Sequence, residues 1–213
     1  MVKIMREVHE EFSTLLKKRL TEIHTNEASV RFTFLAALLK QTNITSPEVI
    51  LDCPHPKIRK AKVDTYITST KERGELIFEF KYDREIPSGK ETKGPKRAGK
   101  LFNDIYRLTQ FDAKPNATRW LIYLTDAEMA NYLRNPDNGL VDFFELPVGE
   151  VLRIDKNYIA SKSATFQGAI VGSISVVDIG CIWKSVDIKC IRNEKMPIQH
   201  ELRIYEIPPH SVA

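Results

Sequence analysis

The segment Glu75–Tyr82 (ELIFEFKY) constrains the fold most, because it combines strand-forming residues with charged residues at alternate positions. Aromatic and β-branched residues favour an extended strand. In such a strand Glu79 and Lys81 point to one face, and Phe78 and Phe80 point to the other. Burying an acid and a base beside apolar residues costs free energy unless the charges are paired or bind something. We therefore expect a sheet built around this strand, with a functional role for its charged face.

A second strand-like segment comes shortly before the first. Lys62–Thr68 (KVDTYIT) alternates in polarity, and Lys71–Gly74 supplies turn-forming residues between the two segments. This pattern predicts an antiparallel hairpin. Because paired strands place facing residues side by side, Asp64 can approach Glu79 across the hairpin.

The remaining segments predict helices around a mixed sheet. Apolar residues three and four positions apart predict an N-terminal helix, a second helix ending near Thr42 and an amphipathic helix over Arg97–Phe111. The continuous apolar run Trp120–Thr125 is typical of a strand buried on both faces. Later strand candidates are Val151–Ile154, Ala169–Val177, Ile182–Ile191 and Glu201–Ile207. The order predicts an α/β (α+β) fold with a mixed central sheet flanked by helices.

Positive charge is concentrated in two runs, although the net charge is only +4. Pro56–Lys62 includes Lys60 and Lys62 and has no acidic residue. The second run, Pro87–Lys100, contains the basic residues Lys90, Lys93, Lys96, Arg97 and Lys100. Clustered basic residues attract phosphate backbones, so nucleic acid is the predicted partner. Two solvated loops are the alternative interpretation.

Other features exclude several classes of protein. The sequence has no apolar run long enough for a membrane span, and no membrane partner is expected. Three cysteines without a CxxC pair argue against a disulfide framework. The N-terminus has acidic residues where a signal peptide would be apolar, so a cytoplasmic location is expected. No phosphate-binding loop or serine-nucleophile motif is present.

Asp64 and Glu79 together predict a site for a hard cation. Two neighbouring carboxylates repel each other, and Mg²⁺ relieves that repulsion through the oxygen ligands it prefers. Such an ion polarises a phosphoryl oxygen and lowers the pKa of bound water. Lys81 can orient the attacking water or neutralise developing charge. These residues suit phosphodiester hydrolysis with Mg²⁺, or Mn²⁺ as a substitute. A surface ion pair between Glu79 and Lys81 is the alternative.

The motif formed by Asp64 in KVDTYI and Glu79-Phe80-Lys81 in LIFEFKYD resembles the signature of the PD-(D/E)xK nuclease superfamily. The resemblance covers roughly residues 25–130 and implies a restriction-endonuclease-like core. It also implies that Asp64 and Glu79 are metal ligands and that Lys81 assists the nucleophilic water. The expected core is residues 1–140, and residues 141–213 form a strand-rich C-terminal part packed on the same domain.

Many members of that superfamily add a glutamate from a helix before the first catalytic strand. Glu27 is the candidate by position, with Glu10 or Glu11 as alternatives. The sequence also departs from the family pattern, because Val63 stands where proline is common. Gln110 is followed by Phe111 without the tyrosine of the RecB-like subgroup.

The expected function is a Mg²⁺-dependent endonuclease acting on double-stranded DNA, most simply a type II restriction enzyme. Cutting two strands needs two sites, which predicts a homodimer. A Holliday-junction resolvase or a DNA-repair nuclease is the alternative within the superfamily, and a non-catalytic nucleic-acid-binding module is the alternative outside it. Lys100 and Arg107 share the polar face of the helix after the motif, where they can contact phosphates or pair with Asp104. A rival motif consists of Asp178, Asp187 and Lys189.

Overall fold

The computed structural model describes residues 2–22, 25–70, 73–84, 94–114, 116–170, 172, 176–192 and 196–208. Of these, residues 2–4, 22, 185–192 and 196–198 are described by their backbone alone. Within the described residues, no helix has both the length and the apolar character needed to cross a bilayer.

Seven strands form one mixed sheet. They are β1 (Val49–Pro54), β2 (Lys62–Ile67), β3 (Leu76–Asp83), β4 (Thr118–Asp126), β5 (Val151–Asp155), β6 (Val176–Arg192) and β7 (Met196–Ile207). Their order across the sheet is β1-β2-β3-β4-β7-β6-β5. The β3–β4 pair is parallel and the other pairs are antiparallel. The expected mixed sheet is therefore confirmed, whereas its assignment to a restriction-endonuclease-like core stays a prediction.

Helices cover both faces of this sheet. The described α-helices are α1 (Val2–Glu22), α2 (Glu27–Gln41), α3 (Gly94–Gln110), α4 (Ala127–Arg134), α5 (Val141–Phe144), α6 (Lys156–Ala160) and α7 (Ala164–Gln167). Short 3₁₀ turns lie at Ser46–Glu48 and Pro136–Asn138. Asn26 caps α2, because its side chain accepts a hydrogen bond from the Ser29 N–H at 2.8 Å. This cap fixes where α2 begins and places Glu27 in its first turn.

Two separate apolar cores lie on the two faces of the sheet. On one face, α1 and α2 pack against β3 and β4 through residues such as Phe12, Phe34 and Phe78. On the other face, α3, α4 and α5 pack against the same strands, with Leu101 and Ile105 on the α3 side. Glu79 and Lys81 belong to the face covered by α3, as the alternation of β3 predicts.

Some element boundaries differ from the sequence-based expectations. The strands predicted at Ala169–Val177 and Ile182–Ile191 are one long strand, β6, which begins only at Val176. Ala169 and Ile170 instead close a turn after α7, donating their N–H groups to the carbonyls of Phe166 and Gln167. A local turn that satisfies these backbone groups competes with strand pairing. The C-terminal strands complete the sheet, because β7 pairs with β4. The division at residue 140 stays a prediction.

Candidate active site

The backbone pairing of β2 and β3 ends at Asp64 and Glu79, two residues of the predicted motif. The pairing covers Thr65–Phe78, Tyr66–Ile77 and Ile67–Leu76 and goes no further. Beyond these pairs, the side chain of Asp64 takes the place of the β2 backbone as hydrogen-bond acceptor. Its Oδ2 accepts the N–H of Phe80 at 2.8 Å. We call the group Glu27, Asp64, Glu79 and Lys81 the fork site. The backbone pairing of β2 and β3 therefore ends beside two acidic residues, Asp64 and Glu79.

Glu27 reaches the same edge of β3 from the start of α2. Its Oε2 accepts the N–H of Tyr82 at 3.1 Å and lies 3.7 Å from Nζ of Lys81. The structure therefore brings Glu27 to Lys81 at the fork. The alternatives lie elsewhere, because Glu10 pairs with Arg6 at 3.0 Å and Glu11 pairs with Lys40 at 2.8 Å.

Glu79 is the most buried member of the fork site, with its side chain only 1% exposed. Its Oε1 accepts a hydrogen bond from Nε of Arg107 at 3.2 Å and lies 3.0 Å from Nη2 of the same guanidinium. Its Oε2 is buried and receives no hydrogen bond from an N–H or O–H donor of the described residues. The Glu79 carboxyl also lies within hydrogen-bonding reach of the Asp64 carboxyl. Two carboxyl groups at that separation need a shared proton or cation.

The protonation of Glu79 follows from this environment. Burial, together with the negative charge of Asp64, raises the pKa of Glu79 well above its usual range, although Arg107 opposes the shift. The group therefore holds a proton to higher pH than an exposed glutamate does. A divalent cation would compete with that proton for the same oxygen atoms.

Lys81 keeps a positive charge in this setting. Burial opposes its ammonium form, but the carboxylates of Glu27, Asp104 and Asp83 outweigh burial and raise the pKa of Lys81. Lys81 is thus a cation and a hydrogen-bond donor at neutral pH. It can orient a water molecule or stabilise negative charge, whereas it cannot accept a proton as a base.

The helix α3 adds two residues that the sequence did not assign to the active site. Nη2 of Arg107 lies 3.1 Å from Oδ1 of Asp104 as well as 3.0 Å from Glu79. Asp104 is buried, and this burial raises its pKa to about 7 against the opposing charges of Arg107 and Lys81. The sequence left two interpretations of Arg107, contact with phosphates or pairing with Asp104, and the structure shows the pairing with Asp104. The spacing of Asp104 and Arg107, three residues apart on a helix face, was the available signal.

Arg31 is a further cation that the sequence did not connect to the site. Its Nη1 donates to the carbonyl of Asp64 at 3.1 Å and to Oδ1 of Asp52 at 3.0 Å. The same atom lies 3.7 Å from Oδ1 of Asp64. Arg31 lies four residues after Glu27, which places both residues on one side of α2.

The site holds one more carboxyl group than cationic side chains. Four carboxyl groups face three cations, namely Glu27, Asp64, Glu79 and Asp104 against Arg31, Lys81 and Arg107. Burial favours the protonated forms of Glu79 and Asp104, so a bound cation would displace a proton from the site. Among the described residues, no three metal-ligating side chains are already gathered around one point. The pair Asp64 and Glu79 nevertheless fits an ion such as Mg²⁺, which binds a few carboxylates and keeps several waters. The unsatisfied Oε2 of Glu79 is the atom that such an ion would satisfy.

Apart from Arg107, the residues predicted to bind DNA fall into three groups. Lys60, Lys62, Lys96 and Lys100 are exposed. Arg97 is buried, at 8% exposure, and its charge acts on Asp83, so it is not displayed to a ligand in this structure. Lys90 and Lys93 lie outside the described residues.

The rival motif is not assembled by the described side chains. Asp178 lies on β6 opposite Arg153 of β5. The side chains of Asp187 and Lys189 lie outside the described part of the chain.

Comparison with known proteins finds no matching family model, no matching curated protein and no matching solved structure. The function proposed below therefore rests on the motif and on the geometry of the fork site.

Proposed function

We propose that this protein is a metal-dependent endonuclease that hydrolyses phosphodiester bonds in double-stranded DNA. The observation that carries the proposal is the carboxyl of Glu79, buried within hydrogen-bonding reach of Asp64 and with Oε2 unsatisfied. A buried polar atom without a partner costs free energy, so a site that retains one is expected to gain a ligand. The charged Lys81 stands on the same face of the same strand.

Asp64 and Glu79 are the proposed ligands of Mg²⁺, with Mn²⁺ as a substitute. Such an ion polarises a phosphoryl oxygen and lowers the pKa of a bound water. Asp64 is held for this role by the Phe80 N–H, and Glu79 is fixed by its burial on β3, where its side chain is only 1% exposed. The hydrogen bond to Asp64 orients its carboxylate, as outer contacts orient the ligands of metal sites.

Lys81 is proposed to place the attacking water and to stabilise the negative charge that develops on the phosphate. Because it is an ammonium, its contribution is electrostatic and positional. Glu27 holds Lys81 from one side at 3.7 Å, so its proposed role is support of the site rather than direct chemistry.

Double-stranded DNA is the proposed substrate, because exposed basic residues precede β2 and follow β3. Lys60 and Lys62 lie beside Asp64 in sequence, and Lys96 and Lys100 lie on α3. A type II restriction enzyme acting as a homodimer in the cytoplasm is the specific form that we propose. A resolvase or repair nuclease uses the same chemistry. A non-catalytic DNA-binding module is favoured by one observation, the guanidinium that already neutralises Glu79.

Incubation with plasmid DNA, with and without Mg²⁺ or Mn²⁺, tests the proposal. We expect cation-dependent cutting by the wild-type protein and none by Asp64→Ala or Lys81→Ala. Discrete fragments indicate a restriction enzyme, and cutting of branched DNA alone indicates a resolvase. Binding of DNA without cutting under every condition would refute the nuclease and support the binding module.

A further inference from the structure

We propose that Arg107 is a latch on the fork site. Its guanidinium binds the carboxyl of Glu79 until a DNA phosphate binds the guanidinium instead, and a divalent cation then replaces it at Glu79. The latch rests on the proposed function and adds a regulation to it. Its consequence is that DNA and the cation bind cooperatively, and that the DNA-free protein binds the cation weakly.

The contacts of Arg107 show that it competes with a cation for Glu79. Its Nε donates to Oε1 of Glu79 at 3.2 Å, and its Nη2 lies 3.0 Å from the same oxygen. The positive guanidinium lies directly on a carboxylate that the cation needs. Two like charges a few ångströms apart in a partly buried site repel each other strongly. Arg107 and a cation therefore cannot both bind Glu79 at full strength.

Arg107 is also the member of this pair that can move. Its side chain is 27% exposed, whereas the side chain of Glu79 is 1% exposed. It lies on the polar face of α3, the helix that also displays Lys96 and Lys100. A guanidinium binds phosphate in the same two-nitrogen manner in which it binds a carboxylate. A DNA backbone lying along α3 thus offers Arg107 an equivalent partner.

The departure of Arg107 from Glu79 and the arrival of the cation must be coupled, because neither is favourable alone. Removing Arg107 from a buried carboxylate leaves an uncompensated charge, which is strongly unfavourable. Arrival of the cation removes that penalty, and departure of Arg107 removes the repulsion that the cation meets. By linkage, DNA raises the affinity for the cation by the same factor by which the cation raises the affinity for DNA.

Asp104 is a positioning residue that determines how firmly Arg107 is held on Glu79. Its Oδ1 lies 3.1 Å from Nη2 of Arg107, which is shared between Asp104 and Glu79. This second contact holds the guanidinium over the fork site. It also keeps Arg107 on its own helix face, close to its alternative phosphate partner.

Calorimetric titration with Mn²⁺ tests the latch without relying on cleavage. We expect Arg107→Gln to bind Mn²⁺ about tenfold more tightly than the wild-type protein when DNA is absent, within the usual range of coupled sites. Glutamine keeps an N–H donor for Glu79 and removes the charge, which favours retention of the fold. Lys40→Met removes the positive charge of an exposed lysine that pairs with Glu11, outside the proposed site, and we expect it to bind Mn²⁺ as the wild type does.

A second titration adds a short DNA duplex to proteins that also carry Lys81→Met, so that the duplex is not cut. The duplex should tighten Mn²⁺ binding about tenfold with Arg107 present and much less with Arg107→Gln. Equal Mn²⁺ affinities of Arg107→Gln and wild type without DNA would overturn the latch and leave the proposed nuclease intact. Absence of Mn²⁺ binding in every protein, with and without the duplex, would overturn the proposed metal site and the latch together.

The salt dependence of DNA binding gives an independent test that does not depend on the stability of a variant. In the wild-type protein, Mn²⁺ should steepen the slope of log affinity against log salt by about one, because one more phosphate contact forms. In Arg107→Gln the slope should not change with Mn²⁺. An unchanged slope in the wild type would show that Arg107 does not move to DNA.

Discussion

Lys81 is the residue whose charge determines what the fork site can do. Its side chain is mostly buried, which by itself would favour the neutral amine. Three carboxylates around it reverse that preference and raise its pKa. A charged donor beside the two proposed metal ligands would act on the negative transition state and not on the metal.

Replacement of this charge should separate chemistry from metal binding. We expect Lys81→Met to reduce the rate of cation-dependent cleavage by about 100-fold or more, the effect of losing one charge-stabilising donor. Mn²⁺ binding should not weaken, because the lost group is a cation. Lys40→Met, an exposed lysine paired with Glu11 on α1, is the matched control. Cleavage by Lys81→Met at the wild-type rate would remove Lys81 from the mechanism.

Asp104 makes the stability of the metal-free protein depend on pH. Its pKa is raised to about 7, so the folded protein retains a proton that the unfolded chain releases near pH 4. Where the folded state holds more protons, the free energy of unfolding falls as pH rises. We therefore expect the contribution of Asp104 to the free energy of unfolding to fall between about pH 4 and pH 7, by at most about 1.4 kcal/mol per pH unit. Buried His9, whose pKa is lowered to about 4, changes stability in the opposite direction over this range, so the contribution is taken from the difference between variants.

Urea unfolding without metal at several pH values measures this slope. Between pH 4 and pH 7, the free energy of unfolding of Asp104→Asn should fall less with rising pH, or rise more, than that of the wild type. Asp112→Asn, an exposed aspartate just beyond α3, should retain the wild-type slope. Identical slopes in all three proteins would mean that Asp104 titrates normally.

At the scale of the elements, the site depends on where α2 begins. The carboxylate of Glu27 reaches the N–H of Tyr82 only because the first turn of α2 is formed at the edge of β3. That turn is fixed by Asn26, whose Oδ1 accepts from the backbone N–H and the hydroxyl of Ser29 at 2.8 and 2.9 Å. The capping residue Asn26 and the proposed active-site residue Glu27 are therefore neighbours in sequence, and the position of Glu27 depends on the cap.

Loss of the cap should affect both stability and activity. We expect Asn26→Ala to lower the free energy of unfolding by about 1 kcal/mol and to reduce cleavage several-fold, because Glu27 loses its fixed position. Asn26→Ser retains a capping oxygen and should approach wild-type values in both measurements. If Asn26→Ala lost stability while cleavage stayed unchanged, Glu27 would not support the site.

At the scale of the whole molecule, a network of ion pairs joins the helices after β4 to the C-terminal strands. Arg134 donates to both oxygens of Glu201 at 2.6 and 2.7 Å and to Glu145 at 2.6 Å. Arg203, which is 1% exposed, contacts Glu201 at 2.9 Å and donates to the Phe144 carbonyl at 2.6 Å. The network ties α4 and the end of α5 to β7, which pairs with β4, the neighbour of β3.

Removing the central carboxylate of this network should destabilise the protein. Glu201→Gln leaves two guanidinium groups without their shared partner, and we expect a loss of about 3 kcal/mol in the free energy of unfolding. Glu150→Gln, an exposed position in the turn before β5, should change stability little. If Glu201→Gln lowered the free energy of unfolding by less than about 0.5 kcal/mol, the network would not stabilise the fold.

Local patterns in the sequence were enough to predict the hairpin, the two N-terminal helices and the shared face of Glu79 and Lys81. They could not predict that β7 lies between β4 and β6, because strand order depends on pairing between distant segments. They also could not place Arg107 on Glu79, since that contact requires α3 to be docked on the sheet. The proposed homodimer stays a prediction for the same reason.

The most direct test compares Mg²⁺-dependent DNA cleavage by Asp64→Asn and Asp52→Asn. Both aspartates contact Arg31, and asparagine at position 64 can still accept the Phe80 N–H, so the fork is retained. We expect Asp64→Asn to cut at least about 100-fold more slowly, because a bound cation supplies several kcal/mol and 1.4 kcal/mol is a factor of ten. Asp52→Asn should cut at nearly the wild-type rate. Equal cutting by both variants, or cutting by the wild type without a divalent cation, would contradict the proposed active site.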